Sequence, residues 1–263
     1  MSERTSYTVG TPCWVDLSSP DLEASIDFYG ALLGWDVPGP ENEEQTGGYR
    51  QAMKNGEPAA GMMPLMQEGQ PPAWTTYIAV EDANATAARV AEAGGTAIAE
   101  PMDVTDLGRM AIFADPTGAV FGVWQPGTFP GAGVVNEPGG FSWNELGTRD
   151  PSTARDFYAR VFSWGTVESE MGEMGVYSEW MLGERAVAGM LDLDGRLPDE
   201  TRARWLTYFV VEDAEAAIET VKEKGGSLSS GPLDTPVGRA AVVQDPHGAA
   251  LAVIKPTEAA DAG

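Results

Sequence analysis

The chain is 263 residues long and carries a formal net charge of -24, from 40 acidic against 16 basic side chains. Such a surface repels phosphate backbones and anionic bilayers, which excludes nucleic acid and membrane as partners and leaves neutral or cationic small molecules. Cys13 is the only cysteine, so no intrachain disulfide can form; with a polar stretch from Met1 to Gly10 that lacks the apolar run of a signal peptide, a reducing, cytoplasmic setting is expected.

In chain order, Trp14 to Leu17 is a short apolar-alternating strand. Ser19-Pro20 marks a helix start with proline in the first turn, and Leu22, Ile26, Tyr29 and Leu33 fall on one helical face. Trp74 to Val80 is β-branched and aromatic, hence a strand, and Asp82 is placed to cap an alanine-rich helix that ends near Gly94. Strands at Met110 to Ala114 and Ala119 to Gln125 flank the turn Asp115-Pro116-Thr117-Gly118. The seam from Pro126 to Gly140 is rich in Gly and Pro and reads as a linker.

The same elements then return. Trp143 answers Trp14 and Tyr158 answers Tyr29 at one offset of 129 (14 to 143; 29 to 158). Asp150-Pro151 opens a helix with Ala154, Phe157 and Val161 on one face; Trp205 to Val211 is a strand; Asp213 caps a helix ending near Gly225; strands at Ala240 to Gln244 and Ala249 to Lys255 flank Asp245-Pro246-His247-Gly248. A fixed internal period of this size means a duplicated domain. The expected division is 1–127, a linker at 128–140, and 141–263. Within each domain the unit strand–helix–strands occurs twice, which gives an α+β protein built from four βαβββ units.

This layout resembles the vicinal oxygen chelate superfamily of glyoxalases, bleomycin-resistance proteins and extradiol dioxygenases. The resemblance rests on Leu22-Glu23-Ala24-Ser25-Ile26-Asp27-Phe28-Tyr29-Gly30 with Leu33-Gly34-Trp35, and on the Asp-Pro-x-Gly turn before each last strand. The paired arrangement, with tryptophan at the start of each half, is similar to a tandem glyoxalase-like subgroup of actinobacteria whose members carry the label "hydroxylase". The resemblance implies two cupped, eight-stranded sheets, each around a cavity. It also implies a Ni, Zn, Mn or Fe site made by His, Gln and Glu on the first and last strands of each unit.

The positions that match those ligands hold Trp14 and Trp143, Thr75 or Thr76 with Leu206 or Thr207, Met62 and Met190, and Gly122 and Ala252. None is a good ligand. His247 is the only histidine and sits in a turn, so neither a two-histidine site nor a facial triad can be assembled. No metal and no cofactor are expected. Alternation along a strand puts Asp16 beside Trp14, Glu145 beside Trp143 and Trp124 beside Gly122, all facing the cup, with the first cup the more aromatic. Asp16 and Glu145 are candidate acid–base groups, since burial near aromatic rings raises a carboxyl pKa. Candidate ligand contacts are Trp14, Trp124, Trp143, Trp74, Trp205, Met62, Met190, Tyr49 and Tyr177, with Arg109 and Arg239 as carboxylate clamps. The plain alternatives are core packing for the tryptophans and methionines, and structural ion pairs for the arginines.

The expected function is metal-independent binding of a small molecule, aromatic and planar or cationic, in a resistance or secondary-metabolism role. The alternative is a glyoxalase-like enzyme of the lyase, isomerase or hydroxylase class, with Asp16 or Glu145 working in place of a metal. A homodimer is compatible with both.

Overall fold

Helix starts follow the capping chemistry. In the computed structural model, which describes residues 5–39, 46–67, 69–170 and 176–257, strand β1 (Pro12–Ser19) leads into helix α1 (Leu22–Leu33). Asp21 caps α1, its carboxylate accepting from the Ala24 amide, so Pro20 lies outside the helix and not in its first turn as the sequence suggested. In the second half Asp150 caps α3 (Pro151–Phe162) and Pro151 does occupy the first turn. The first half continues with β2 (Arg50–Lys54), β3 (Glu57–Pro64), β4 (Ala73–Ala79), α2 (Ala83–Glu92), β5 (Thr96–Val104), β6 (Gly108–Ala114) and β7 (Val120–Pro126). The second half runs β8 (Phe141–Thr148), α3, β9 (Gly165–Glu170), β10 (Val176–Leu182), β11 (Arg185–Asp192), β12 (Arg204–Val210), α4 (Ala214–Glu223), β13 (Ser227–Thr235), β14 (Gly238–Gln244) and β15 (Ala250–Pro256).

Each half makes its own mixed sheet. The orders are β2-β3-β1-β4-β7-β6-β5 and β13-β14-β15-β12-β8-β11-β10-β9. In both, the two βαβββ units join where their first strands pair antiparallel, β1 with β4 and β8 with β12. Among the described residues the first sheet has seven strands, against the expected eight. Where the second half forms β9, the described residues of the first half make the bridge from Asp36 to Met53. The sequence there is Asp36-Val37-Pro38-Gly39-Pro40, and proline cannot donate to a ladder.

The helices settle how the four units meet. Helix α1 packs against α4, and α2 against α3, so the first unit lies back to back with the fourth and the second with the third. One core gathers Leu17, Phe28 and Met62 with Ile218, Val243 and Leu251; the other gathers Val90 and Phe121 with Phe157, Met190 and Trp205. The Phe-Tyr pair of each first helix ties the halves together. Tyr29 donates from its hydroxyl to Asp245 at 3.2 Å and Tyr158 to Asp115 at 2.9 Å. Each aspartate also closes its own Asp-Pro-x-Gly turn by accepting the amides two and four residues on. His247 contributes only its amide to that closure. At the centre of the molecule the buried Asn144 carbonyl accepts from both Thr76, at 2.7 Å, and Thr207, at 3.2 Å. Because the helix-bearing faces are joined, the two cups open away from each other.

Candidate functional site

On the cup face of the first sheet, β1 presents Trp14 and Asp16, and its neighbours present Gly61, Thr75, Tyr77 and Gly122. Asp16 is the floor. Its carboxylate accepts from Trp14 Nε1 at 2.7 Å and from the Tyr49 hydroxyl at 2.8 Å, and the Tyr77 hydroxyl also bonds to it. Trp14 Nε1 lies 2.9 Å from the Tyr49 hydroxyl as well, closing a triangle. Burial pushes the Asp16 carboxyl up to about 6, against the three hydrogen bonds that favour its charged form. Gly61 is required here: a Cβ at that position would collide with the Asp16 carboxylate and the Tyr49 ring. Glycine at 122 likewise leaves space for the Tyr77 ring.

The second cup repeats this floor. Glu145 replaces Asp16, Tyr177 and Tyr208 bond to its carboxylate, and Trp143 Nε1 meets the Tyr177 hydroxyl at 2.9 Å. Burial raises the Glu145 carboxyl above its ordinary value, opposed by the two phenols and by the nearby Arg196 charge. Gly189 stands where Gly61 does, and a Cβ there would strike Tyr177 and Trp143.

Above the floors the cups differ. In the first, the seam folds back over the opening. Phe129 sets its ring edge-on to Trp14, centroids 4.9 Å apart, and 6.0 Å from Trp124. Trp124 Nε1 and the Leu107 carbonyl hold the Phe129 backbone at 2.8 and 3.0 Å. Trp14 is consequently 3 % exposed and Trp124 7 %. In the second cup Trp143 is only half-buried. The cup positions of Met110, Ile112 and Trp124 are taken by the smaller Ala240, Val242 and Ile254, and no Phe, Tyr or Trp follows Phe209 in the sequence.

The structure thus brings together Trp14, Asp16, Tyr49 and Trp124 in one cup, and Trp143, Glu145 and Tyr177 in the other. It places the remaining candidates elsewhere. Trp74 and Trp205 point to the helix side, where their Nε1 atoms donate to Tyr29 and Tyr158 at 3.0 Å. Met62 and Met190 pair with Leu17 and Leu146 and fill the cores; the cup positions are one residue earlier, at Gly61 and Gly189. Arg109 pairs with Asp103 and reaches Asn84 of α2, and Arg239 pairs with Asp234 and Glu215 of α4, all on the helix-bearing side and away from the cups. Cys13 is buried on the side away from the cup and burial drives its thiol pKa far up, which leaves it inert.

Sequence reasoning missed Tyr77 and Tyr208. The signal was present in the matched stretches Trp74-Thr75-Thr76-Tyr77 and Trp205-Leu206-Thr207-Tyr208. With a period of two, the tryptophan and tyrosine of each stretch must face opposite sides, so only one could line the cup.

The floors do not fit a metal of the kind used by metal-dependent relatives of this fold. Each offers one carboxylate, two phenols and an indole N–H, and an N–H is a donor with no lone pair to give. Among the described residues no three His, Cys, Asp or Glu side chains converge.

Comparison with known proteins places the whole chain. The family described as Glyoxalase/Bleomycin resistance protein/Dioxygenase superfamily matches residues 13–123 and 140–253. The anthracycline biosynthesis protein DauV of Streptomyces sp. (strain C5) is 39% identical over 270 residues, covering 97% of this chain and 96% of that protein. A Mycobacterium tuberculosis protein named "Putative glyoxylase CFP32" is 39% identical over 97% of this chain and 98% of its own. Among solved structures, the Mn(II)-bound glyoxalase from Novosphingobium aromaticivorans superposes with a TM-score of 0.65 at 16% identity, covering 94% of this chain and 82% of that one. The 2,3-dioxygenase LapB from Pseudomonas sp. KL28 gives 0.64 at 15%, covering 95% and 93%. The twofold family match and the 39% relatives leave one conclusion: this chain belongs to the Glyoxalase/Bleomycin resistance protein/Dioxygenase superfamily.

Proposed function

We propose that this protein binds a planar aromatic small molecule without a metal, the ligand ring lying in a cup against tryptophan and its polar edge meeting the buried carboxyl and phenols. The observation that carries this reading is the floor itself. Where a chelating member of the fold would present metal ligands, this chain presents an indole, two tyrosines and one carboxyl group over a glycine. Aromatic walls with a few convergent polar groups suit a flat ligand bearing hydroxyl or carbonyl substituents. The names of the Streptomyces relatives, anthracycline biosynthesis proteins, point to the same ligand class.

The test is a titration with 1,8-dihydroxyanthraquinone, followed by tryptophan fluorescence. Saturable quenching is expected in the wild type and loss of binding in Trp143→Leu. Absence of binding up to the solubility limit would overturn the reading.

A second reading is supported by one observation, the raised carboxyl pKa values. Burial raises the Glu145 carboxyl between two phenols, which moves it toward the range in which a carboxyl passes a proton at neutral pH. If the cup catalyses, Glu145→Gln keeps ligand affinity and loses turnover; if it only binds, no turnover exists to lose.

A further inference from the structure

The second cup carries two arginines that have no equivalents in the first. Arg204 opens β12 opposite Gly147, in the same face register as Leu206 opposite Glu145 and Tyr208 opposite Trp143. Its side chain is therefore on the cup side, since Trp205 between them points into the core. Arg204 is half-buried and makes no hydrogen bond or ion pair among the described residues. Loss of water lowers its pKa, and no acid among the described residues offsets that. Arg196 lies in the loop between β11 and β12, close enough to Glu145 to act on its charge. Arg149 fixes that loop, donating to the carbonyls of Leu197 and Pro198 at 3.0 and 2.5 Å and pairing with Asp194 at 3.0 Å. In the first half Ala73 replaces Arg204, and the corresponding loop, 65–72, contains no basic residue.

An unpartnered, partly desolvated guanidinium is costly to keep, and its planar fork is matched to a carboxylate or a comparable oxyanion. The protein as a whole repels anions, so local cations are what would admit one. Phe129 shows where an aromatic ring rests on this kind of floor, edge-on to the tryptophan beside the carboxyl. By the pseudo-symmetry of the halves the same place in the second cup lies over Trp143, within the register that holds Arg204.

We propose that the second cup is the working site and that it selects aromatic ligands bearing an acidic group, with Arg204, assisted by Arg196, receiving that group while Trp143 receives the ring. This rests on the planar-aromatic reading above and adds the cup and the charge of the ligand. The acidic group neutralises Arg204, and the phenols of Tyr177 and Tyr208 remain for the ligand's hydroxyl or carbonyl oxygens.

The experiment compares two probes of one shape at pH 8, anthraquinone-2-carboxylate and anthraquinone-2-carboxamide, by calorimetry. The wild type is expected to bind one equivalent per chain and to favour the carboxylate by about tenfold, the scale of a charge-assisted pair in a partly dry site. Arg204→Gln should abolish that preference while moving the carboxamide by less than about twofold, and Arg204→Lys should restore part of it. Equal affinities in the wild type overturn the proposal without any variant, and leave the aromatic-binding reading standing. A preference that survives in Arg204→Gln, or binding of two equivalents, also overturns it. Binding of neither probe removes both readings.

Discussion

The two cups share a floor and differ in their roofs. Both place a buried carboxyl between two tyrosines and an indole over a glycine, but the first closes that floor under Phe129 while the second leaves Trp143 half-exposed beneath smaller walls. Duplication kept the polar constellation in both halves and let the apolar surroundings diverge. In the first cup a side chain of the seam fills the ring position, so the constellation acts there as packed interior. In the second, Trp143, Tyr177 and Tyr208 keep partial exposure above a buried Glu145.

Removing each tryptophan in turn should separate the two cups most strongly. Trp14→Leu should cost about 4 kcal/mol, from lost packing and from an Asp16 carboxylate deprived of a donor. Trp143→Leu should cost about 1 kcal/mol because its site is half-solvated. Denaturant unfolding measures both; equal losses would mean that the cups are closed alike.

The next effect is pH dependence. Asp16 ionises at about 6 in the fold against an ordinary value of 3.8. Below the unfolded value both states are protonated and nothing is lost; as pH rises to about 6 the unfolded chain gives up its proton first and stability falls, by up to about 3 kcal/mol for a shift of about two units. Asp16→Asn should abolish that portion, so the variant gains on the wild type between pH 4 and pH 7. Parallel stability profiles for the two proteins would show that Asp16 is solvated.

Among the first-cup changes the roof carries the smallest effect. Phe129→Ala should cost about 2 kcal/mol, since the ring is only partly buried. It should also expose Trp14 to acrylamide quenching and create a second equivalent of anthraquinone binding per chain. Unchanged quenching would mean that other residues seal the first cup.

Much of this was legible in the sequence because it depends on local periods. The offset of 129 fixed the internal equivalences, and strand alternation put Asp16 with Trp14 and Glu145 with Trp143 on the correct face. What failed was long-range or a matter of one residue. In sequence Met62 and Met190 match the ligand positions, yet the strand phase gives the cup to Gly61 and Gly189, and a glycine leaves no side chain to notice. Trp74 and Trp205 went to the core because their indoles reach a tyrosine from α1 or α3, contacts 45 and 47 residues apart in sequence. The exchange of helix contacts between halves, α1 with α4 and α2 with α3, leaves no mark in any short window. Phe129 lay in a stretch whose Gly and Pro content announced only a linker.

Asn144 has one more consequence. Its carbonyl serves two threonines that are each other's equivalents, yet its own equivalent in the first half is Val15. Two first halves docked on each other would bury two threonine hydroxyls with no acceptor, and two second halves would crowd two carboxamides into the space of one. A single side chain has thus turned a pair of interchangeable copies into a left and a right glove, which fit together in one combination only.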